Sequence, residues 1–437
     1  MARKRIIYQV LPRLWGNGRF SSWNDASFAY LHSLGVDIVW YTGIPRHASG
    51  EAFVKGDPGS PYAVCDWFDV NPYLADRTEN RLEEFKAMVG RTHAAGLKCI
   101  TDYIPNHVAR NYKGPVALYP WCDGDWTDTL KVDWSRPETE SSMLEVLRFW
   151  AGLGVDGFRC DMVELVPSDA LGRLIRTVKS EHPGLLFVAE VYDRNNYRRY
   201  LEEAGFDLLY DKSGCYDILR GIMGGSRSAR ELSWNWQFLG DMQPGMLNFL
   251  ENHDEQRIAS AEFAADADAA WAALAYASLF NDASFLVYAG QELGEDASES
   301  DNGRTSIFNW SHPASMGSLW DFISGNGRLG EKESAVLSGY RSLLAMAGSE
   351  LFREGRVWDL CYCNENSPGF IPDAHTAFVR YDGTAATLVF CNLGREAASV
   401  VLSVPEELRE SGRLEATEVP VYAPACCYAA YKLKIKL

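Results

Sequence analysis

Short apolar runs alternate with amphipathic segments over residues 1–350 of the chain. The runs are rich in β-branched and aromatic residues and show little polar alternation, which is typical of strands buried on both faces. We predict strands at Ile6–Val10, Val36–Tyr41, Leu97–Asp102, Val155–Asp161, Leu185–Glu190, Phe206–Tyr210, Met246–Glu251 and Ser284–Tyr288.

Helical periodicity fills several of the gaps between these runs. Asn80 with Glu83 resembles a capping box, and Ser168 is a candidate N-cap. Strands alternating with helices predict a (β/α)8 TIM barrel, with a doubly wound sheet as the structural alternative. Apolar residues lie at helical spacing in four sets: Leu82, Phe85 and Val89; Met143, Val146, Leu147 and Trp150; Leu171, Leu174, Ile175 and Val178; and Val336, Leu337, Tyr340, Leu343 and Leu344.

Two segments depart from this rhythm. Residues 108–135 are rich in Gly, Pro, Trp and Asp, which predicts a short inserted loop or subdomain after the third strand. Residues 351–437 change to strand-like runs and turns, and Asp382-Gly383 between two such runs is a hairpin signal. We therefore expect a catalytic barrel over 1–350 and a small C-terminal antiparallel β domain over 351–437.

Charge and leader signals exclude some partners. The chain has 42 basic and 59 acidic residues and a formal charge of −17, which argues against a nucleic-acid partner. The start is basic, but Gln9, Pro12 and Arg13 interrupt any apolar leader segment, and no run has the length of a membrane span. With ten scattered cysteines, we expect a cytoplasmic protein with reduced thiols.

Polar residues end several of the predicted strands, where a barrel core does not tolerate them. Asp102 ends the third strand and leads into Asn106-His107, Arg159 and Asp161 end the fourth, and Glu190 ends the fifth. The seventh runs into His253-Asp254. Catalytic groups of barrels lie at the carboxyl ends of strands, so we expect these side chains to meet at one mouth.

These motifs resemble those of the α-amylase family of glycoside hydrolases. Asp102-Tyr-Ile-Pro-Asn106-His107, Gly157-Phe158-Arg159-Cys160-Asp161, Val188-Ala189-Glu190-Val191 and Asn252-His253-Asp254 are similar to its four signatures, in the same order. Ile7-Tyr8-Gln9-Val10-Leu11-Pro12 and Gly35–Trp40 resemble its first two strands, and Tyr62 its stacking tyrosine. The resemblance runs from residue 6 to about 310. It implies Asp161 as nucleophile, Glu190 as acid/base and Asp254 as the transition-state stabiliser.

The chemistry of a retaining glycosidase agrees with those roles. It needs two carboxyl groups about 5–5.5 Å apart, one attacking the anomeric carbon and one protonating the leaving oxygen. Arg159 lies two residues before Asp161 on a strand, so both side chains point the same way and the cation favours an ionised nucleophile. Glu190 must start protonated, which an enclosed site with other carboxylates favours.

Further residues have softer assignments. We expect Tyr62, His107 and His253 to contact the sugar, although a lone histidine is more often structural. Asp102 either contacts the substrate or orients Arg159 or a neighbour, and Asn106 either contacts the substrate or holds the following loop. Four tryptophans are candidate sugar-stacking rings, with core packing as the alternative: Trp15, Trp67, Trp121 and Trp126.

The chain departs from the family after the nucleophile. Many calcium-dependent relatives have a Lys-His pair there, where this chain has Glu164 and Leu165. Asp123, Asp125 and Asp128 in the short loop could hold a hard cation, but we expect no cofactor. Glu164 is expected to alter the sugar-facing side of the cleft.

The sequence leaves three functions open. We predict a retaining hydrolase of α-1,4-glucosidic bonds, with maltooligosaccharides, starch or glycogen as the substrate. A 4-α-glucanotransferase using the same intermediate is the first alternative. A catalytically inactive carbohydrate-binding or partner subunit is the second, and the intact trio Asp161, Glu190 and Asp254 argues against it. A cytoplasmic location favours imported maltooligosaccharides or stored glycogen.

Overall fold

The computed structural model describes residues 4–436, so Met1, Ala2, Arg3 and Leu437 lie outside the described residues. The first half contains strands β1 (Ile6–Val10), β2 (Ile38–Tyr41), β3 (Pro45–His47), β4 (Val64–Val70), β5 (Lys98–Tyr103), β6 (His107–Ala109), β7 (Thr129–Lys131), β8 (Gly157–Cys160), β9 (Leu186–Ala189) and β10 (Leu208–Tyr210). The second half contains β11 (Met246–Asn248), β12 (Ser284–Tyr288), β13 (Arg356–Asp359), β14 (His375–Tyr381), β15 (Ala386–Asn392), β16 (Ala398–Ser403), β17 (Glu418–Ala423) and β18 (Tyr428–Lys432).

Helices connect most of these strands. They are α1 (Asp25–Ser33), α2 (Arg81–Ala94), α3 (Pro137–Gly152), α4 (Ser168–Glu181), α5 (Asp217–Met223), α6 (Arg230–Leu239), α7 (Trp271–Leu279), α8 (Ala314–Ile323), α9 (Glu331–Ala347), α10 (Glu350–Glu354), α11 (Cys361–Asn364) and α12 (Glu406–Ser411). Short 3-10 and π turns supplement them, for example at Val163–Leu165.

Eight parallel strands close into a barrel in the order β1-β12-β11-β10-β9-β8-β5-β2. The predicted (β/α)8 barrel is therefore confirmed and the doubly wound sheet is wrong. Every predicted strand overlaps a barrel strand, with ends displaced by up to three residues. A cluster of apolar side chains fills the barrel interior, which explains why the strands read as nearly continuous apolar runs: Ile7, Ile38, Trp40, Ile100, Leu186, Val188, Leu208, Tyr210, Tyr216, Leu247, Phe249 and Leu286.

At two predicted helix starts, the expected capping residue does not cap the helix. Helix α2 begins where expected, but the Asn80 side chain makes no capping hydrogen bond. Glu84, one residue past the expected Glu83, accepts hydrogen bonds from the backbone N–H groups of Asp76 and Arg77. Ser168 is the first residue of α4 rather than its N-cap, and Pro167 precedes it.

Two excursions leave the barrel at its carboxyl end. The predicted insertion after the third barrel strand contains the antiparallel pair β6–β7, with His107 opposite Lys131. A second antiparallel pair, β3–β4, lies in the connection after β2 and was not predicted. Its central run, Val64–Val70, alternates irregularly between buried and exposed side chains, so its periodicity gives no clear strand signal.

The chain after α10 folds into antiparallel sheets. One has the order β13-β14-β15-β18, and β16 pairs with β17. The predicted hairpin is β14–β15, whose turn contains Gly383 at φ +88° and the Asp382 carboxylate accepting the backbone N–H of Thr384 and Ala385. Arg380 joins this sheet to the barrel layer through the Phe280 carbonyl and Asp282. Within residues 4–436, no helix combines the length and apolar character needed to cross a membrane.

Candidate active site

Strand register brings the strand-end carboxylates together. Cys160 on β8 pairs with Ala189 on β9, so the next residues, Asp161 and Glu190, lie side by side at the carboxyl end of the barrel. Asp102 on β5 pairs with Arg159 on β8 in the layer below. The topology of a parallel barrel therefore explains why residues far apart in sequence share one mouth.

Arg159 is the centre of this group. Its side chain is fully buried, one guanidinium nitrogen donates to Asp161, and another lies 3.0 Å from Oε2 of Glu190. Its Nε donates to the Tyr210 hydroxyl at 3.3 Å, and its Cζ lies 5.4 Å from the ring centres of Trp40 and Tyr62. One cation thus touches both carboxylates that a double displacement needs and offsets part of their mutual repulsion.

The backbone of Met162 also serves Glu190. Met162 has φ +44°, a left-handed conformation that costs a non-glycine residue free energy. Its N–H donates to Oε2 of Glu190 at 2.8 Å. Burial has the largest effect on the pKa of Glu190 and raises it. The Arg159 cation lowers this pKa, and the neighbouring charge of Asp161 raises it; the net result is a raised pKa. A raised pKa suits a carboxyl that must begin the reaction protonated.

Asp254 faces these two carboxyls from the connection after β11. Burial in the crowded cleft, followed by the charge of Glu190, raises the pKa of Asp254 to about 8. Its side chain is nevertheless 39% exposed, so water in the open cleft offsets part of that effect. His253 Nε2 lies 3.1 Å from its Oδ2, which places a neutral donor beside the carboxylate.

A glutamine from the first strand sets the tautomer of His253. The Gln9 side-chain amide lies 2.7 Å from His253 Nδ1 and donates to Thr42 Oγ1 at 3.0 Å. Because an amide N–H can only donate, Nδ1 is the acceptor and the proton is on Nε2, facing Asp254. Burial lowers the pKa of His253 well below its usual value, so the ring is neutral. Sequence reasoning missed Gln9, although the first-strand motif contains it.

Asp102 lies beneath the cleft rather than in its wall. Its carboxylate accepts hydrogen bonds from Trp40 Nε1 at 3.1 Å, the Gly43 N–H at 2.9 Å and the Tyr62 hydroxyl at 3.3 Å. Burial raises the pKa of Asp102 to about 7. Of the two roles considered for Asp102, the contacts correspond to orienting a neighbour, and that neighbour is Tyr62. The Tyr62 ring lines the cleft and stacks on His253 at 5.0 Å.

His107 and Asn106 divide into a cleft residue and a loop anchor. His107 lines the cleft, its ring lies 5.1 Å from Trp126, and burial lowers its pKa to about 4. Asn106 is fully buried. Its side-chain amide donates to Asp123 at 2.9 Å, and its backbone carbonyl accepts from the Val132 N–H. Asn106 therefore holds the following loop.

The acidic loop carries its own cations. Lys131 Nζ contacts Asp123 at 2.9 Å, and Lys55 Nζ lies 3.9 Å from Asp128 and donates to the Asp125 carbonyl at 2.6 Å. These contacts occupy oxygens that a hard cation would need.

The cleft has a volume of 590 Å³. Several residues that line it were not predicted from the sequence. Among them, Tyr192 could have been predicted from its position, because it lies two residues after Glu190. His253 borders an adjacent cavity with Asp254, and Arg159 lies in the floor. The lining residues include Lys55, Ser60, Tyr62, His107, Trp126, Asp128, Asp161, Met162, Glu190, Tyr192, Lys212, Ser213, Asp217, Asp254, Glu255, Arg304 and Phe308.

Three of the four candidate tryptophans do not line the cleft. Trp15 and Trp67 are buried in the core, Trp15 stacking on Trp23 at 4.9 Å. Trp121 is 47% exposed and stacks on Tyr119 at 5.1 Å, outside the cleft. Trp126 lines the cleft.

The two positions that depart from the family motif lie away from the cleft wall. The expectation for Glu164 was wrong: its carboxylate turns away from the sugar-facing side and accepts hydrogen bonds from the loop that follows Glu190. Leu165 is 39% exposed and lies outside the cleft.

Curated relatives share part of this architecture. No protein-family model matches the chain. The chain is 26% identical to α-amylase MalA of Haloarcula japonica over 339 residues, which cover 71% of the chain and 46% of the relative. It is 22% identical to neopullulanase 2 of Thermoactinomyces vulgaris over 403 residues, covering 77% and 64% respectively. The chain thus spans less than two thirds of the length of these relatives.

Solved structures share the whole fold. A noncanonic maltogenic α-amylase, AmyB, from Thermotoga neapolitana superposes with a TM-score of 0.72 at 23% identity, covering 98% of this chain and 96% of that one. Cyclic α-maltosyl-(1→6)-maltose hydrolase from Arthrobacter globiformis gives a TM-score of 0.74 at 19% identity, with 98% of each chain covered.

The fold is a (β/α)8 barrel, and three carboxylates, those of Asp161, Glu190 and Asp254, line one cleft at its carboxyl end. The chain is similar in sequence to curated enzymes of the α-amylase type and shares its fold with solved structures of such enzymes.

Proposed function

We propose that the protein cleaves α-1,4-glucosidic bonds of maltooligosaccharides, starch or glycogen by double displacement with retention of configuration. Asp161 is the nucleophile, Glu190 the acid/base and Asp254 the carboxylate that stabilises the oxocarbenium-like transition state. Similarity to an α-amylase, a neopullulanase and a maltogenic α-amylase supports an α-glucan as the substrate class.

The reaction follows from the arrangement of the carboxyls. In the first step Asp161 forms a bond to the anomeric carbon while the glycosidic C–O bond breaks, and the Glu190 proton goes to the leaving oxygen. In the second step a water oxygen bonds to the same carbon, the Asp161 ester bond breaks, and Glu190 takes the water proton. Asp254 lines the same cleft, and the His253 Nε2–H faces its carboxylate at 3.1 Å.

The observation that carries the proposal is the buried Arg159 guanidinium, which touches Asp161 and Glu190 together. A cation shared by two carboxylates holds them as neighbours and offsets part of their mutual repulsion. An inverting enzyme needs its two carboxyls about 6.5–9.5 Å apart, with room for water between them. A bridge through one guanidinium favours the shorter retaining distance.

Product stereochemistry tests this mechanism. NMR of the first product released from maltotriose should show the α-anomer before mutarotation, and a β-anomer would refute the double displacement. Asp161→Asn should lower turnover at least 1000-fold, whereas Asp169→Asn, an exposed carboxylate on α4, should leave it unchanged. Full turnover by Asp161→Asn would refute the assignment of the nucleophile, whereas an unaltered protein that binds glucan without cleaving it would support the inactive binding subunit.

The same intermediate can pass to water or to a sugar hydroxyl, so hydrolysis and 4-α-glucanotransfer are separated by products. Hydrolysis of pure maltotriose gives maltose and glucose and raises the number of reducing ends. Longer oligomers without new reducing ends would establish transfer instead.

We also propose that the reaction needs no metal ion, because Lys131 and Lys55 already contact the acidic loop where calcium would bind. A cytoplasmic location remains our proposal for the compartment. The ten cysteines are free thiols, which supports it.

A further inference from the structure

The two oxygens of the Glu190 carboxylate have different partners. Oε2 receives the Met162 N–H at 2.8 Å and lies 3.0 Å from the Arg159 guanidinium. Oε1 receives the Tyr192 hydroxyl at 2.7 Å, which is its one hydrogen bond from residues 4–436. Because the Met162 N–H donates to Oε2 and a positive guanidinium lies beside it, a proton on Glu190 is favoured on Oε1. Tyr192 therefore contacts the oxygen that handles the catalytic proton.

Glu164 holds the backbone of Tyr192. Its carboxylate accepts the Tyr192 N–H at 2.7 Å, the Asp193 N–H at 3.3 Å and the Asn196 side-chain amide at 2.7 Å. The Ser213 hydroxyl donates to the Tyr192 carbonyl at 2.5 Å. The loop bearing Tyr192 is thus tied at both backbone groups, and Glu164 occupies one of the positions at which the chain departs from its family motif.

We propose that Glu164 and Tyr192 form a positioning device for the acid/base, in which Glu164 fixes the loop and the Tyr192 hydroxyl sets the rotation and proton affinity of Glu190. This inference rests on the function proposed above. Tyr192 acts through Glu190 and is a positioning residue, as is Glu164, which never touches the cleft.

The hydroxyl can serve both protonation states of Glu190. It donates to Oε1 while Glu190 is ionised, and its oxygen can accept from the Oε1–H when Glu190 is protonated. A donor to the ionised form favours that form, so the Tyr192 contact lowers the proton affinity of Glu190 and opposes the effect of burial. The device keeps the proton transferable in both directions, which an acid that later becomes a base requires.

Tyr192→Phe removes the hydroxyl and keeps the ring. We expect the pKa of Glu190 to rise by about one pH unit, which is the usual effect of losing one hydrogen bond to a charged group. The upper limb of the pH profile of kcat/KM should move up by the same amount, because that limb reports the protonated acid. We expect kcat to fall about tenfold with KM nearly unchanged.

Tyr200→Phe is the matched control. The Tyr200 hydroxyl donates to the Val163 carbonyl at 3.0 Å, beside the same turn, and does not touch Glu190. Its removal should lower stability without moving the limb. An unmoved limb in Tyr192→Phe, or an equal movement in Tyr200→Phe, would overturn the proposal.

A double-mutant cycle tests the role of Glu164. Glu164→Gln should shift the limb in the wild-type background and have little further effect in Tyr192→Phe, because both changes act through one hydrogen bond. Additive shifts would show that Glu164 acts elsewhere and would refute the device.

Carbon-13 NMR of labelled glutamate, with the Glu190 signal assigned through Glu190→Gln, measures the pKa without turnover. A raised pKa in Tyr192→Phe supports the device even if the chain cleaves no glucan, in which case only the proposed function fails. An unchanged pKa in an active enzyme refutes the device alone.

Discussion

Asp254 should cost the folded protein stability near neutral pH, and Asp254→Asn should recover it. The carboxyl lies beside Glu190 and Asp161, and its pKa is raised from 3.8 to about 8. A group with a raised folded-state pKa holds its proton longer in the native state than in the unfolded chain. Stability is therefore lost as pH rises from about 4 to 8, and an amide does not have this penalty.

The magnitude depends on solvent. Each pKa unit corresponds to about 1.4 kcal/mol, so a dry carboxyl with this pKa would destabilise the fold by about 6 kcal/mol at pH 8. The Asp254 side chain is 39% exposed, and water screens most of that repulsion. We expect Asp254→Asn to raise the free energy of unfolding by about 1–2 kcal/mol at pH 8 and by nearly nothing at pH 4. The amide oxygen can still accept from His253.

Denaturant unfolding at pH 4, 6 and 8 measures this gain, and turnover should fall about 100- to 1000-fold in the same variant. Glu255→Gln is the matched contrast: Glu255 is the next residue, but it accepts from Tyr216 at 2.6 Å and lies 3.3 Å from Lys212. That change should destabilise at pH 8. A gain for Asp254→Asn that is equal at pH 4 and pH 8, or a loss at pH 8, would show that carboxylate repulsion is not what strains the site.

Three further outcomes follow from the contacts. Met162→Gly should fold with equal or slightly higher stability because its φ is +44°, whereas Met162→Val should lower the free energy of unfolding by about 1–2 kcal/mol, as measured by denaturant unfolding. Gln9→Ala should lower kcat about tenfold, because it removes the donor that keeps the His253 proton on Nε2. Nitrogen-15 NMR measures the tautomer of His253, and an unchanged tautomer in the variant would contradict this. Chelation with EDTA should leave activity and thermal stability unchanged, since lysines contact the acidic loop, and a fall restored by added calcium would contradict this.

The parts predicted well are those fixed by short-range pattern. Strands buried on both faces need apolar runs, so polar residues that end such runs, such as Asp161 and Glu190, stand out in the sequence. The β14–β15 hairpin was also predicted from a short local pattern, because the turn is formed by Asp382-Gly383 itself. The pair β3–β4 was missed because its pleat is irregular and its partner lies across a long loop.

The supporting residues of the site were harder to predict for a different reason. Gln9 reaches His253 from a strand 244 residues away in sequence, and Glu164 reaches Tyr192 across two connections. Nothing in the local pattern of either residue distinguishes it from an ordinary strand or turn residue. Trp15 and Trp67 were candidate sugar-stacking rings, but both are buried in the core. The sequence does not distinguish a ring that stacks on a sugar from one that stacks on another ring, as Trp15 does on Trp23.

This difference follows from what each residue has to satisfy. A nucleophile and an acid must sit at the barrel mouth, and topology alone brings strand-end residues there. The protonation state of Glu190 depends instead on donors that approach from other elements: Arg159 from below, the Met162 N–H from a strained turn, and the Tyr192 hydroxyl from a loop held by Glu164. The family-like motifs therefore locate the strand-end carboxylates, while the contacts to Glu190 lie partly at a position where this chain departs from those motifs. Differences in activity between such relatives should arise at positions of this second kind.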